Sequence, residues 1–286
     1  MATYRVLYNP TSANGNGKAE AEKMLAAMSG DTLNFEDITA VGSYSDFFAG
    51  LGTERLVVCG GDGTLNRFIN DTEGKGRPEE VWYFPAGTGN DFANDIGIKD
   101  TAVPVEIGRY LKNLPTVTVN GKKSLFLNGI GYGIDGYCCE VGDAMREAGK
   151  TDINYAGIAI KGLLFHFKPR NAKVTVDGKT TEYRKVWLAP AMNGRMYGGG
   201  MIPTPDQKRF ADENGEKLLS VLVWNGSGKI STLANFPNIF KGEHLKKSKM
   251  CRVLTGKKIE VEFDGPCALQ IDGDTVLGVT SYTAEV

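Results

Sequence analysis

The sequence predicts an α/β plus β protein of two lobes, an N-terminal α/β lobe and a C-terminal, mainly antiparallel β lobe. Three observations support this. Up to Pro115, apolar runs alternate with helix-like stretches, the rhythm of a parallel sheet. Each of these runs ends in a Gly- or Asn-rich turn, and open α/β sheets bind ligands at the carboxyl ends of their strands. Beyond Pro115 the pattern changes to strand pairs joined by Asn-Gly or Asp-Gly, turns that tolerate positive φ.

In the first lobe, strands are expected at Tyr4–Tyr8, Leu33–Thr39, Leu56–Cys59 and Val81–Phe84. Helices should follow at Ala19–Met28, Ser43–Leu51, Leu65–Asp71 and Asp91–Ile96. In the second, hairpins are expected at Thr116–Val119 with Leu125–Asn128, turning at Asn120-Gly121, and at Lys173–Val176 with Tyr183–Ala189, turning at Asp177-Gly178. Further strands are read at Leu218–Trp224, Arg252–Thr255, Ile259–Phe263, Ala268–Ile271 and Val279–Ala284, with a helix near Ser231–Phe240. The border is placed so that residues 1–122 form the first domain and 123–275 the second, with the final strand, 276–286, returning to the first. No repeat and no low-complexity linker interrupts the chain.

Composition bounds the function. Hydrophobic residues make up 41% and charged residues 23% of the 286, which is globular and neither disordered nor fibrous. The net charge of −1, from 33 Lys and Arg against 34 Asp and Glu, argues against a nucleic-acid partner. The start MATYRVLYNP lacks a signal-peptide pattern, and no apolar run reaches the roughly 18 residues that span a bilayer. A soluble, cytoplasmic chain without a transmembrane segment is expected, and a homodimer stays open. Five cysteines and two histidines without paired ligand spacing exclude a zinc site and point to reduced thiols.

Three turns carry the chemistry. Asn9 to Lys18 lies between a strand and a helix, where backbone N–H groups and the helix dipole attract anions and Lys18 adds charge, although Walker A spacing is absent. Gly60-Gly61-Asp62-Gly63-Thr64 follows the next strand but one, its glycines letting backbone approach a ligand. Asp62 there holds Mg²⁺, or takes a proton from an attacking hydroxyl, or is a helix cap. Pro85-Ala86-Gly87-Thr88-Gly89-Asn90-Asp91 offers glycines, a hydroxyl and an amide to a nucleotide.

With a late Asp272-Gly273-Asp274, these runs resemble the diacylglycerol-kinase catalytic-domain family, which includes bacterial lipid kinases and sphingosine and ceramide kinases; the match covers nearly the whole chain. The resemblance implies a two-lobe fold like that of NAD kinases and diacylglycerol kinases, with the first lobe binding ATP, the second the acceptor, and the acceptor in the cleft between them. It implies an ATP- and Mg²⁺-dependent kinase for a hydroxyl of a diacylglycerol-like lipid at a membrane surface or in micelles. Gly61 to Asn66, including Leu65, and Thr88 match its ATP positions, and Thr39 a further nucleotide contact. Asp62 would sit beside Mg²⁺-ATP, Asp274 would be the general base, and Asp135 would lie near the acceptor.

Three departures stand out. Asp274 replaces the family's Glu, shortening the arm by roughly 1.5 Å, and misplacements of that size can cost two orders of magnitude in rate. Arg67 stands where Glu is usual. Asn214 to Ser220 replaces an Asp-Gly-Leu-Leu-Asp-like segment, so the structural cation site that would involve Ser220 loses its acid. A soluble-acceptor kinase like NAD kinase, and a catalytically weak lipid- or nucleotide-binding protein, are the competing readings.

Other runs admit plainer readings. Gly131 to Gly136 satisfies Gly-x-Gly-x-x-Gly, but in a hairpin rather than a βαβ unit, so no dinucleotide site is expected. Asp135 alone could be a cap for a helix over Tyr137–Ala148, and Asp272-Gly273-Asp274 an acidic hairpin turn. Ile153–Phe167, ending in His166, Lys168 and Arg170, is either a core helix or a segment that dips into a lipid interface. The Lys-rich stretch from Lys241 to Arg252 reads as a solvated loop, with peripheral membrane contact as the alternative.

Overall fold

The computed structural model describes residues 1–99, 102–150 and 153–286, which form two compact units, Met1–Leu114 and Pro115–Val286. In the first, β1 (Thr3–Tyr8), β2 (Thr32–Asp37), β3 (Arg55–Gly60) and β4 (Val81–Pro85) are parallel, and β5 (Val105–Glu106) pairs antiparallel with β4. The strand order is β2-β1-β3-β4-β5. β3 is buried along almost its whole length, as an apolar run flanked by two parallel partners should be. The expected Ala19–Met28 helix is two short pieces, Gly17–Glu22 and Met24–Ala27, and the strand expected to reach Thr39 ends at Asp37, whose carboxylate caps a 3₁₀ turn over Ile38–Ala40.

The second unit is one antiparallel sheet closed on itself. Its strands are β6 (Thr116–Val119), β7 (Lys122–Leu125), β8 (Gly129–Tyr132), β9 (Arg170–Val176), β10 (Lys179–Leu188), β11 (Ala191–Met192), β12 (Leu219–Asn225), β13 (Cys251–Gly256), β14 (Lys258–Ile271) and β15 (Asp274–Glu285). Their order is β7-β6-β15-β14-β8-β11-β12-β10-β9, and β9 pairs again with β14 to close the ring. Inside it Tyr132 stacks on Phe263 at 4.0 Å and meets Tyr282 edge-on, and both tyrosine hydroxyls donate to backbone carbonyls. Asn120-Gly121, Asp177-Gly178 and Asp272-Gly273 all adopt positive φ at both residues, the geometry of tight hairpins.

Two boundaries differ from expectation. The units divide at Leu114/Pro115, not at 122/123, because β6 pairs with β15 and so belongs to the second sheet. For the same reason the final strand stays in the second unit, between β14 and β6, and does not return to the first. The two strands expected at Ile259–Phe263 and Ala268–Ile271 are one strand, β14, with its register shifted between Glu262 and Cys267. Pro266 lies in that interval, where it has no N–H to give a ladder. The Lys-rich stretch is not a solvated loop throughout: His244 is fully buried, stacked on Trp224, and burial pushes its imidazole down to about 4.

Asp272 ties this sheet together. Its buried carboxylate accepts the backbone N–H groups of Leu127, Asn128 (2.7 Å) and Gly129 (2.9 Å), fixing the chain as it enters β8. Asp272→Ala strands those buried donors, and denaturant unfolding of the variant should show a loss of about 3 kcal/mol or more. An unchanged midpoint and slope would show that these bonds contribute nothing net.

Candidate active site

The three turns of the first unit are bound to each other. Asn9 accepts from the N–H and hydroxyl of Thr11 through Oδ1, and its Nδ2 donates to Thr64 Oγ1 at 2.9 Å. Ser12 Oγ lies 3.3 Å from the same hydroxyl. The first turn is thereby hung on the second. A Cβ on Gly87 would come within 2.5 Å of Gly61 Cα, so the second and third turns touch backbone to backbone, which only glycine permits. Asn90, at φ 50°, closes the third turn with a reciprocal pair of bonds to the N–H and carbonyl of Gly87.

Asp62 joins the same two turns. Its Oδ2 accepts the N–H of Asp91 at 2.9 Å and its Oδ1 that of Phe92 at 2.8 Å. It is a helix cap, then, but of the neighbouring turn's Asp91–Asp95 helix rather than of its own, and its negative charge meets the positive end of that turn. Beneath, the buried Tyr83 hydroxyl donates to Gly60 O at 2.9 Å, and burial, then the Asp62 charge, holds its pKa well above the usual phenol value.

The expected nucleotide residues separate into groups. Gly60, Gly61, Gly63, Thr64, Gly87, Gly89 and Asn90 lie on the joined turns, and Thr88 is exposed among them. The Leu65 side chain is wholly buried in the core, and its N–H donates to Gly61 O. Asn66 is also buried, its amide oxygen accepting from Asn70. Thr39 is exposed and bonds to Asp37 through both its N–H and hydroxyl. Lys18 is 62% exposed on its side chain and faces Glu22 at 3.9 Å.

In the second unit Asp135 begins the helix Ile134–Glu147 and is 5% exposed. The buried Tyr197 hydroxyl donates to its Oδ2. Tyr197 is not among the residues that the sequence singles out. Gly198, Gly199 and Gly200 all take positive φ and fold the chain so that Tyr197 and Met201 exchange backbone hydrogen bonds, which presents the phenol to Asp135. Asp274 is exposed at the start of β15, opposite Ile271 across the Asp272-Gly273 turn. The Gln270 side chain accepts Gly273 N–H at 2.7 Å and braces that turn. Burial, then the charges of Asp135 and Asp143, pushes the Cys139 thiol up to about 12.

Ser220 lies on β12 with its hydroxyl 3.4 Å from that of Thr255. It lines a cavity of about 420 Å³ that Asp206, Asp212 and Glu216 also border. Asp212 accepts the N–H groups of Asn214 and Glu216, and Glu216 pairs with Lys257. Among the described residues no three His, Cys, Asp or Glu side chains are grouped to hold a metal ion.

Burial pushes the Asp135 carboxyl up to about 7 against the opposing effect of Tyr197. The folded state therefore holds this proton between about pH 4 and 7 while the unfolded state has lost it, so this group's contribution to stability falls as pH rises through that window. Asp135→Asn removes the dependence. Denaturation midpoints of the variant minus wild type should rise from pH 4 to pH 7 and then level off; a flat difference would mean that Asp135 titrates normally.

Residues 3–116 match the family described as diacylglycerol kinase catalytic domain, and residues 128–286 the YegS C-terminal NAD kinase beta sandwich-like domain. A diacylglycerol kinase of Mycobacterium tuberculosis is 26% identical over 230 residues, covering 78% of this chain and 71% of its own. Two structures from Bacillus anthracis str. Sterne share the fold. A candidate diacylglycerol kinase superposes with TM-score 0.65 at 21% identity over 99% of this chain and 91% of its own, and a diacylglycerol kinase with TM-score 0.58 at 20% identity over 99% and 93%. No helix of the described residues is long and apolar enough to cross a membrane. With both halves matched in order, the chain belongs to the diacylglycerol kinase family and is a kinase of the lipid-kinase type.

Proposed function

We propose that this protein transfers the γ-phosphoryl group of Mg²⁺-bound ATP to a hydroxyl of a diacylglycerol-like lipid. The joining of the three turns through Thr64, Gly61 with Gly87, and Asp62 is the observation that supports this most. It gathers glycine backbone and the N-terminal end of the ten-residue helix Asp62–Asp71 in one place, a setting suited to polyphosphate. Gly63 has open space where a Cβ would stand, so a ligand can lie against its backbone. Mg²⁺ would arrive with the nucleotide and would neutralise charge on the transferring group, and Asp62 would be the acid beside it, each of its oxygens having a second lone pair besides the one that accepts a backbone N–H.

In this reading Asp274 takes the proton of the acceptor hydroxyl, and the buried Asp135–Tyr197 pair orients the acceptor. The exposed position of Asp274 suits it to a proton donor that arrives from outside.

The test is transfer of labelled γ-phosphate to mixed micelles of diacylglycerol, monoacylglycerol, ceramide and sphingosine, with NAD in the aqueous phase. Label in diacylglycerol is expected. Label only in the dinucleotide would replace the lipid acceptor with a soluble one, and tight ATP binding without transfer would leave a binding protein. Asp274→Asn should lower kcat between roughly a hundred- and ten-thousand-fold without moving the thermal midpoint. Thr88→Val should act mainly on the KM for ATP.

A further inference from the structure

Two segments of the second unit meet at one surface. The helix Tyr155–Lys161 continues into a π-helical turn, Gly162–His166, and Lys229 Nζ, at the start of the helix Lys229–Asn235, donates to Leu164 O of that turn at 2.9 Å. Their inner faces enter the core through Ile158, Leu163, Phe167 and Phe236. Their outer faces do not match this pattern. Ile230 is 84% and Phe165 72% exposed, the highest values for large apolar side chains among the described residues after Met1, and Ile160 and Phe240 are exposed on the same two segments.

The charge on these segments is one-sided. Residues 153–170 and 226–242 hold Lys161, Lys168, Arg170, Lys229 and Lys241, with His166, and no Asp or Glu, in a chain whose acids outnumber its bases. Exposed apolar side chains, with the exposed Lys161, Lys168 and Lys229 on the same segments and stems that can lie along apolar surface, match a bilayer with anionic headgroups.

We propose that this face docks the protein on an anionic lipid surface, with Phe165 and Ile230 entering the acyl boundary and Lys161, Lys168 and Lys229 meeting lipid phosphates. The choice of a bilayer as occupant rests on the lipid-acceptor reading; the charge and the exposed side chains do not. This surface also answers the question left by Ile153–Phe167, which is core on one side and interface on the other.

Sedimentation of the intact chain with phosphatidylcholine vesicles, with and without phosphatidylglycerol and in the absence of ATP, tests it. Binding should rise with phosphatidylglycerol and fall with salt. The double variant Phe165→Ser, Ile230→Ser should lose roughly ten-fold or more in partitioning, and Lys161→Glu and Lys229→Glu at least about five-fold each. All substituted positions are exposed, and an unchanged thermal midpoint serves as the folding control. No binding at any composition, or equal binding by the double variant, would overturn the proposal. So would self-association of lipid-free protein that the same variant abolishes. Transfer to a short-chain, water-dispersed diacylglycerol should be unchanged in the double variant; its absence from wild type would remove the kinase reading while leaving the vesicle result standing.

Discussion

The first unit depends on one carboxylate that bonds outside its own helix. Asp62 stands at the start of Asp62–Asp71 yet gives both oxygens to the next turn, and the glycine contact between Gly61 and Gly87 leaves no room for anything between the two backbones. Strand order makes this possible: β3 and β4 are parallel neighbours in register, so their carboxyl ends emerge side by side. Asn9 extends the arrangement to β1, on the other side of β3, through Thr64. Hydrogen bonds and one backbone contact therefore tie the three loops to one another.

The second unit repeats the device with Asp272. Here too an acid in an Asp-Gly pair satisfies backbone N–H groups of a distant segment. Its neighbour Asp274 remains at the surface, so within three residues one carboxylate is buried against backbone donors and the other is exposed. Gln270 and the tight Asp272-Gly273 turn brace the start of β15, where Asp274 stands.

Much of this was legible in the chain. The parallel rhythm of the first half, the three Xaa-Gly hairpins and the Gly-rich strand ends are local signals, and local chemistry dictates them. The unread features are of another kind. Pro266 within β14 looks like a strand break until β8, β9 and β15 are seen to pair along its two halves. Tyr197 lies 62 residues from Asp135, and nothing in either neighbourhood announces the other. Asp62 could be read as acid or cap, but which helix it caps depends on the packing of two strands. Leu65 and Asn66 follow the glycines of one motif, and the helical period buries their side chains.

The closed sheet has a further effect on how the molecule meets its neighbours. Because β9 returns to β14, the ladder's open ends are β7 and β13, four and six residues long. β7 begins with Lys122 and Lys123, and β13 carries Arg252. Short edges bearing cations resist recruitment of stray strands from other chains, so the architecture that encloses the core also guards against amyloid-like stacking.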